Sequence, residues 1–446
     1  MLDKFYKQFK SGTDIRGVAS EGVEGQPVNL TDDVVARMAD GFVLWLSKKV
    51  SKAPETLTIS IGRDSRISGP HIVSICSERF KRCGATVLDC SLASTPSMFM
   101  TTVDLGCDGA LQITASHHPF NRNGLKFFTR EGGLEGSDIE EILEYAQNGE
   151  SPAENSCGKI RKVDYMTDYA KGLCKKIKEE VNAEDYDHPL KGFKIVVDAG
   201  NGAGGFYADK VLSVLGADTT GSRYLEPDGM FPNHIPNPED ATAMASICEA
   251  VKEANADLGV IFDTDVDRGG AVDSKGNEIN RNRLVAVAAA IALEGNEGGT
   301  VVTDSITSSG LKEFIENTLG GQHYRYRRGY KNVIDKALEL NAQGINCPLA
   351  IETSGHAAMK ENYFLDDGAY LCTKIIIKAA QLRKEGKELD ELTAALKEPV
   401  ESKEVRFKIL EPDFRACGEK IINDLTEYAM ARCFETPFLL CPQKGY

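Results

Sequence analysis

Positive charge is in short supply: the 446-residue chain has 52 Lys and Arg against 67 Asp and Glu, a formal charge of −15. A general nucleic-acid binder needs a basic surface to meet phosphates, so no nucleic-acid partner is expected. A small anion remains compatible, because a pocket can be basic inside an acidic shell. Long hydrophobic runs are missing too. The longest, Leu284 to Leu293, is about half of the ~20 residues needed to cross a bilayer, and no membrane partner is expected. The first residues, MLDKFYKQFKSGTD, lack the apolar core of a secretory leader. Twelve cysteines are scattered without a Cys-x-x-Cys pair, which disfavours a zinc ribbon or a redox dithiol. A reduced, cytoplasmic protein is the expectation. The glycine-rich turn from Asp198 to Gly205 lacks the Lys-Ser/Thr ending of a P-loop and reads as a structural βα turn.

What is present is ordinary globular composition, 41% hydrophobic and 27% charged, with room for about three domains of roughly 150 residues. One pattern recurs three times, beginning at Leu57, Lys194 and Thr300. A β-branched apolar run leads to a polar turn, and the turn opens a helix-like segment. Near-continuous apolar runs suit strands covered on both faces, with the helix as crossover. The spacing predicts strands at 85–90, 108–113, 125–128, 257–262, 322–328 and 347–351. Helices are predicted at 69–82, 137–147, 238–255, 284–293 and 367–383. The polar stretch 148–158 is the first linker. Expected domains are therefore α/β units at 1–158, 159–279 and 280–398, followed by a short segment, 399–446, too small to hold a core alone.

Two segments carry chemistry. Asp263-Thr-Asp265-Val-Asp267-Arg268 ends a predicted strand, and three carboxylates at alternate positions can converge on one divalent cation. A solvated acidic turn or a calcium loop is the plainer alternative, though an EF-hand would need Gly and Glu where Arg268 and Ser274 stand. In Thr114-Ala-Ser116-His117-His118-Pro119, Ser116 follows a predicted strand. Its hydroxyl can therefore project at the sheet's carboxyl edge, with His117, Arg122 and Lys126 around an anion there. A Ser near Pro is also a common turn or cap residue.

TASHHPFNRNGLKFF resembles the phosphoserine loop of the α-D-phosphohexomutases, and DTDVDRGG resembles their metal loop. Ser11-Gly-Thr-Asp-Ile-Arg16-Gly is similar to their N-terminal arginine turn. Ile351-Glu352-Thr-Ser354-Gly-His356 is similar to their sugar-binding loop, with Ile351 where Gly is usual. The resemblance implies three consecutive α/β domains with mixed, mostly parallel sheets around a central cleft, plus an incomplete C-terminal α+β domain. It implies a phosphomannomutase/phosphoglucomutase-type enzyme interconverting hexose 1-phosphate and 6-phosphate, with Mg²⁺ as cofactor and a hexose 1,6-bisphosphate as activator. Ser116 would carry the phosphoryl group and, with Asp263, Asp265 and Asp267, hold the metal. Arg268 would face the phosphate, His117 would orient the serine, and Lys126 and Arg16 would move protons. That last role needs a pKa lowered by neighbouring cations.

Glu352, Ser354 and His356 would bind the sugar, and Gly329 and Lys331 belong to Arg327-Arg-Gly-Tyr-Lys331, which resembles the family's substrate-orienting loop. A strand-ending turn and a solvated hairpin are the respective plainer readings. His118 departs from the usual residue. No Arg-x-Ser-Gly-Thr-Glu-Pro loop follows Pro399, although 402–432 resembles the opening strand and helix of the fourth domain. An impaired sugar-phosphate binder, a slow phosphatase, a metal-dependent hydrolase using Ser116, and a phosphoglucosamine mutase are the alternatives. Monomer or dimer is left open.

Overall fold

Apolar runs separated by polar turns fold into three sheets in succession. The computed structural model describes residues 1–401, 405, 408–411 and 413–432. The chain divides into two units, Met1–Glu398 and Pro399–Tyr446. In the second, the helix Phe414–Arg432 follows Asp413, whose carboxylate accepts from the Ala416 N–H at 3.1 Å. The strand expected to precede this helix from 402 onward lies partly outside the described residues, and 433–446 lies wholly outside them. No described helix is long and apolar enough to cross a membrane.

The first sheet runs Lys10–Ser11, Asp14–Val18, Arg122–Thr129, Gly109–Ile113, Thr58–Arg63, Thr86–Leu92, Lys159–Lys162, and Gly132–Gly133 adds to Arg122–Thr129. Its last four path strands pair in parallel and the others antiparallel. Lys159–Lys162 lies within the segment assigned from sequence to the second domain, yet it is the edge of this first sheet. All four of its residues are exposed, so it carries no apolar signal; lysine-rich edges discourage further pairing. The predicted linker is also tied down, for Asn155 N–H donates to the Arg82 carbonyl at 2.7 Å.

The second sheet runs Glu278–Ile279, Gly269–Asp273, Leu258–Phe262, Ile195–Asp198. Here parallel pairing is confined to Ile195–Asp198 with Leu258–Phe262. The chain turns straight back through 263–268 into Gly269–Asp273, so the acidic segment is a hairpin turn rather than a βα turn. The third sheet runs Gln322–Arg325, Thr300–Thr303, Leu349–Ile351, Ala357–Met359, with only the last pair antiparallel.

Helix Gly69–Arg82 matches its expected span. The one expected from Pro238 begins at Ala241, because Asp240 caps it by accepting from Thr242 N–H at 2.9 Å and Ala243 N–H at 3.1 Å. Helix Arg281–Leu293 is apolar nearly all round and correspondingly buried. It shares one contiguous core with Tyr165–Val181 and Gly368–Lys384, and that core also reaches Met98 and Phe99. The first three domains are thus packed around common apolar ground, which fixes their strand ends relative to one another.

Candidate active site

The hairpin turn 263–268 is held by all three domains through its carbonyl groups. Thr264 O accepts from Ala203 N–H at 2.8 Å, Asp265 O from Thr95 N–H at 2.8 Å, and Val266 O from Gly368 N–H at 3.1 Å. Val266, β-branched and fully buried, sits at φ +67°. Such a conformation costs on the order of 1–3 kcal/mol and persists only where surroundings impose it. The glycine-rich turn after Asp198 explains part of this. A Cβ on Gly202 would stand 2.6 Å from Thr264 O, so Gly is needed for the close approach that backs the acidic loop.

Asp263, Asp265 and Asp267 are buried and point ligand oxygens at one another within 4.8 Å. Asp265 Oδ1 and Asp267 Oδ1 are buried without a hydrogen-bond partner. Burial, then the Asp267 charge, pushes the Asp263 carboxyl up to about 6. Burial and both neighbouring carboxylates push Asp265 well above the usual range. For Asp267 burial works the same way, but Lys126, His356 and Arg268 outweigh it and hold the carboxyl low.

Ser116 lies at φ +50° after the strand Gly109–Ile113, almost fully buried. Its Oγ is 3.2 Å from Asp263 Oδ2, 3.1 Å from Arg268 Nη2 and 3.3 Å from His117 Nδ1. Arg268 Nη2 also lies 2.7 Å from His117 Nδ1, so that nitrogen accepts. Burial and then the Arg268 charge bring the His117 pKa down to about 3, and the ring is neutral. Arg268 itself is buried, donating to Asp263 and, through Nη1, to Asn237 Oδ1 at 3.0 Å.

Lys126 Nζ donates to Asp267 Oδ2 at 2.7 Å. Burial lowers its pKa, yet Asp267, then Tyr330, Asp14 and Asp265, together outweigh it and the net shift is strongly upward. The lowering by cations anticipated from sequence does not occur. Arg16 extends from the strand Asp14–Val18, pairs with Asp14 at 2.9 Å, and keeps a buried Nε with no partner. Its pKa is likewise raised: burial opposes its charge, but Asp14, then Asp265 and Asp267, outweigh it.

The third domain meets these loops by backbone. Gly269 N–H donates to Gly355 O at 3.2 Å, and a Cβ on Gly355, at φ +95°, would stand 2.6 Å from Gly269 O. His356 Nδ1 is 2.6 Å from Asp366 Oδ2 and 3.8 Å from Asp267 Oδ1. Burial disfavours its charge, but these carboxylates raise its pKa to about 9. Ser354 Oγ is buried and unpartnered. Glu352 accepts from the Gly329 N–H, and burial raises its pKa.

Lys331 lies in the first turn of the helix Tyr330–Ala342. Its ammonium is paired with Glu135 and Asp335 and makes no ion pair with the serine or carboxylate loops among the described residues. The neighbouring residue, Tyr330, touches the site directly. The Tyr330 ring stacks on His356 at 5.2 Å, lies 4.8 Å from Lys126 Nζ, and brings its hydroxyl 3.1 Å from Thr13 Oγ1. Thr95, Asn237 and Asp366 were not singled out from sequence, and no local pattern marks them; Tyr330 lies in the Arg327–Lys331 segment, where only Gly329 and Lys331 were named. Asp64 and Arg66 could have been noticed as opposite charges ending a buried strand.

Three family models match in sequence order: phosphoglucomutase/phosphomannomutase alpha/beta/alpha domain I over residues 7–153, domain II over 169–276 and domain III over 280–399. The chain belongs to the phosphoglucomutase/phosphomannomutase family. This bears out the α-D-phosphohexomutase resemblance carried by the four motifs. A phosphomannomutase/phosphoglucomutase of Pseudomonas syringae pv. tomato is 31% identical over 336 residues, 74% of this chain and 68% of that protein. A phosphoglucosamine mutase of Lactobacillus helveticus is 29% identical over 397 residues, 87% of this chain and 81% of that one. Among solved structures, a phosphoglucomutase/phosphomannomutase family protein from Burkholderia thailandensis superposes with TM-score 0.72 at 25% identity. It covers 90% of this chain and 81% of its own.

Proposed function

We propose that this member of the phosphoglucomutase/phosphomannomutase family is a phosphohexomutase. It interconverts hexose 1-phosphate and hexose 6-phosphate, of mannose, glucose or both, through a phosphorylated Ser116 and a hexose 1,6-bisphosphate. The observation that carries this is the placement of Ser116 Oγ against both Asp263 Oδ2 and Arg268 Nη2, at 3.2 and 3.1 Å, two groups that are themselves paired at 3.1 Å. A hydroxyl in that position can bear a phosphoryl group within reach of both a cation and the carboxylate cluster.

The residues fit a divalent cation. Three buried carboxylates converge, and two of their oxygens accept no hydrogen bond, a costly arrangement unless something positive is to be bound. Asp263, Asp265 and Asp267 would hold Mg²⁺ together with an oxygen of the Ser116 phosphate. Bound there, Mg²⁺ would supply charge neutralisation at the transferring group.

The protein's own side chains account for the rest. A sugar hydroxyl attacks phosphorus, the bond from phosphorus to Ser116 Oγ breaks, and the proton lost by the sugar hydroxyl is balanced by the one that Ser116 Oγ gains. Transfer back to the other hydroxyl of the bisphosphate completes the exchange. Arg268 offsets charge on the phosphoryl oxygens and fixes the neutral His117 beside the serine. Lys126 and Arg16 serve the proton movement. Lys126 is protonated beside Asp267, so it acts first as a donor, and becomes a base only when the Asp267 charge is otherwise offset. Glu352, Ser354 and His356 read sugar hydroxyls, with Gly329 holding Glu352 in place.

Phosphoglucosamine mutase is a second reading, favoured by the 29% identity to the L. helveticus protein. A coupled assay of mannose, glucose and glucosamine phosphates, with and without a hexose 1,6-bisphosphate, tests both. Interconversion stimulated by bisphosphate is expected. Release of inorganic phosphate alone would make the protein a phosphatase, and no turnover would leave a sugar-phosphate binder.

A further inference from the structure

Arg66 is one of the largest side chains in the protein with no exposure. Its guanidinium has five N–H donors and no way to lose its charge. Every donor is used. Nε donates to Asp64 Oδ2 at 3.1 Å; Nη1 donates to Pro119 O at 2.7 Å and Arg122 O at 3.0 Å; Nη2 donates to Ser116 O and, at 2.7 Å, to His118 O. Four carbonyls of one short loop are therefore gathered on a single cation.

Asp64 completes the arrangement. Its Oδ2 accepts from Thr114 Oγ1 at 2.7 Å, and Thr114 Oγ1 accepts from Ser116 N–H at 3.0 Å. Both backbone polar groups of Ser116 are thus tied to the Asp64–Arg66 pair, one directly and one through Thr114. In a trans peptide the C=O and the following N–H point to opposite sides. With Ser116 O drawn toward Arg66, the His117 N–H is turned the other way. The second domain seals the clamp: the Phe231 ring lies 5.2 Å from the guanidinium, and a Cβ on Gly229 would stand 2.5 Å from Ser65 O and Ile67 N.

Stability alone explains this poorly, since a buried ion pair is often no better than well-packed apolar residues. An irregular loop with four carbonyls turned inward is another matter, because each needs a donor. We propose that Arg66, with Asp64 and Thr114, is the positioning residue of the reaction, holding Ser116 in its left-handed conformation so that Oγ faces Asp263 and Arg268. The proposal rests on the reading of Ser116 as phosphoryl carrier.

The test compares wild type, Arg66→Lys and Thr114→Val. Phosphoryl uptake from a hexose 1,6-bisphosphate is followed by intact mass, KM for the hexose phosphate is measured, and amide exchange is followed over residues 115–122. Lysine keeps the charge but cannot serve four carbonyls. Arg66→Lys should take up the phosphoryl group about 100-fold more slowly, the scale of a displaced reacting group. Its KM should stay near wild type and its loop should exchange faster. Thr114→Val, which keeps the ion pair, should show the same pattern more weakly. A folded Arg66→Lys with wild-type uptake or unchanged loop protection would overturn the proposal. If Arg66→Lys fails to fold, wild-type uptake and protection in Thr114→Val would do so. Wild type that takes up no phosphoryl group counts against the carrier reading, while the exchange data still decide the clamp.

Discussion

Ser116 Oγ and Asp263 Oδ2 stand 3.2 Å apart although 147 positions separate them in the chain. The serine ends a strand of the first sheet, and the carboxylate begins the hairpin turn of the second. Neither segment can shift without moving the other, because Asp265 is also bonded to Thr95 of the first domain by backbone and side chain. Activity is therefore expected to depend on contacts between domains as much as on the acidic loop itself.

Asp265→Asn removes one of three crowded carboxylates. Without metal the variant should be more stable than wild type at neutral pH, because repulsion is relieved. The gap should widen as pH rises from about 3.8, since wild type folded with a raised Asp265 pKa loses stability as that proton leaves. Added Mg²⁺ should raise the melting temperature of wild type and much less that of the variant. Equal Mg²⁺ responses would count against the carboxylate site.

Lys126→Met leaves Asp267 buried without its closest cation. The side chains of the pair are 6% and 2% exposed, so the loss should cost about 3–5 kcal/mol in a denaturant titration. Adding Asp267→Asn to the variant should recover part of it. A single variant as stable as wild type would show that the pair does not hold these domains together.

His234 offers both ring nitrogens to acceptors, Nε2 to Asp198 Oδ1 and Nδ1 to Ile235 O, each at 3.0 Å. Burial opposes its charge, but the hydrogen bond and charge of Asp198 prevail and raise the pKa above 6.5. Its stabilisation should be complete below pH 6.5 and lost as pH rises through the raised value. Wild type should exceed His234→Gln by about 2 kcal/mol at low pH, the scale of a hydrogen bond to a charged group. That advantage should shrink toward alkaline pH; one that grows would contradict the imidazolium assignment.

Gly368 starts the third domain's last long helix, Gly368–Lys384, and a Cβ there would lie 2.3 Å from the Arg268 carbonyl carbon. Gly368→Ala must push the acidic loop. A stability loss of about 1–3 kcal/mol is expected, with kcat reduced about 100-fold. Wild-type kcat would mean that Arg268 tolerates the displacement.

The residues proposed to do chemistry were largely legible in the sequence because they are clustered in short segments. The serine, acidic and sugar loops each carry several polar groups within a few positions, at the ends of apolar runs. What was not legible acts through backbone or across domains. Arg66 serves carbonyls, which every residue has, so no pattern in 116–122 announces its partner. Tyr330 rather than Lys331 faces Lys126, a distinction set by one helical step at the start of Tyr330–Ala342. The edge strand Lys159–Lys162 escaped notice because its side chains are all solvated. The raised pKa of Lys126 follows from Asp267, a neighbour only in the folded chain.

The most direct test is the intact mass of wild type and Ser116→Ala after incubation with a hexose 1,6-bisphosphate, alongside mutase activity. A single added phosphate on wild type, absent from Ser116→Ala together with the activity, is the predicted result. Full mutase activity in Ser116→Ala would contradict it.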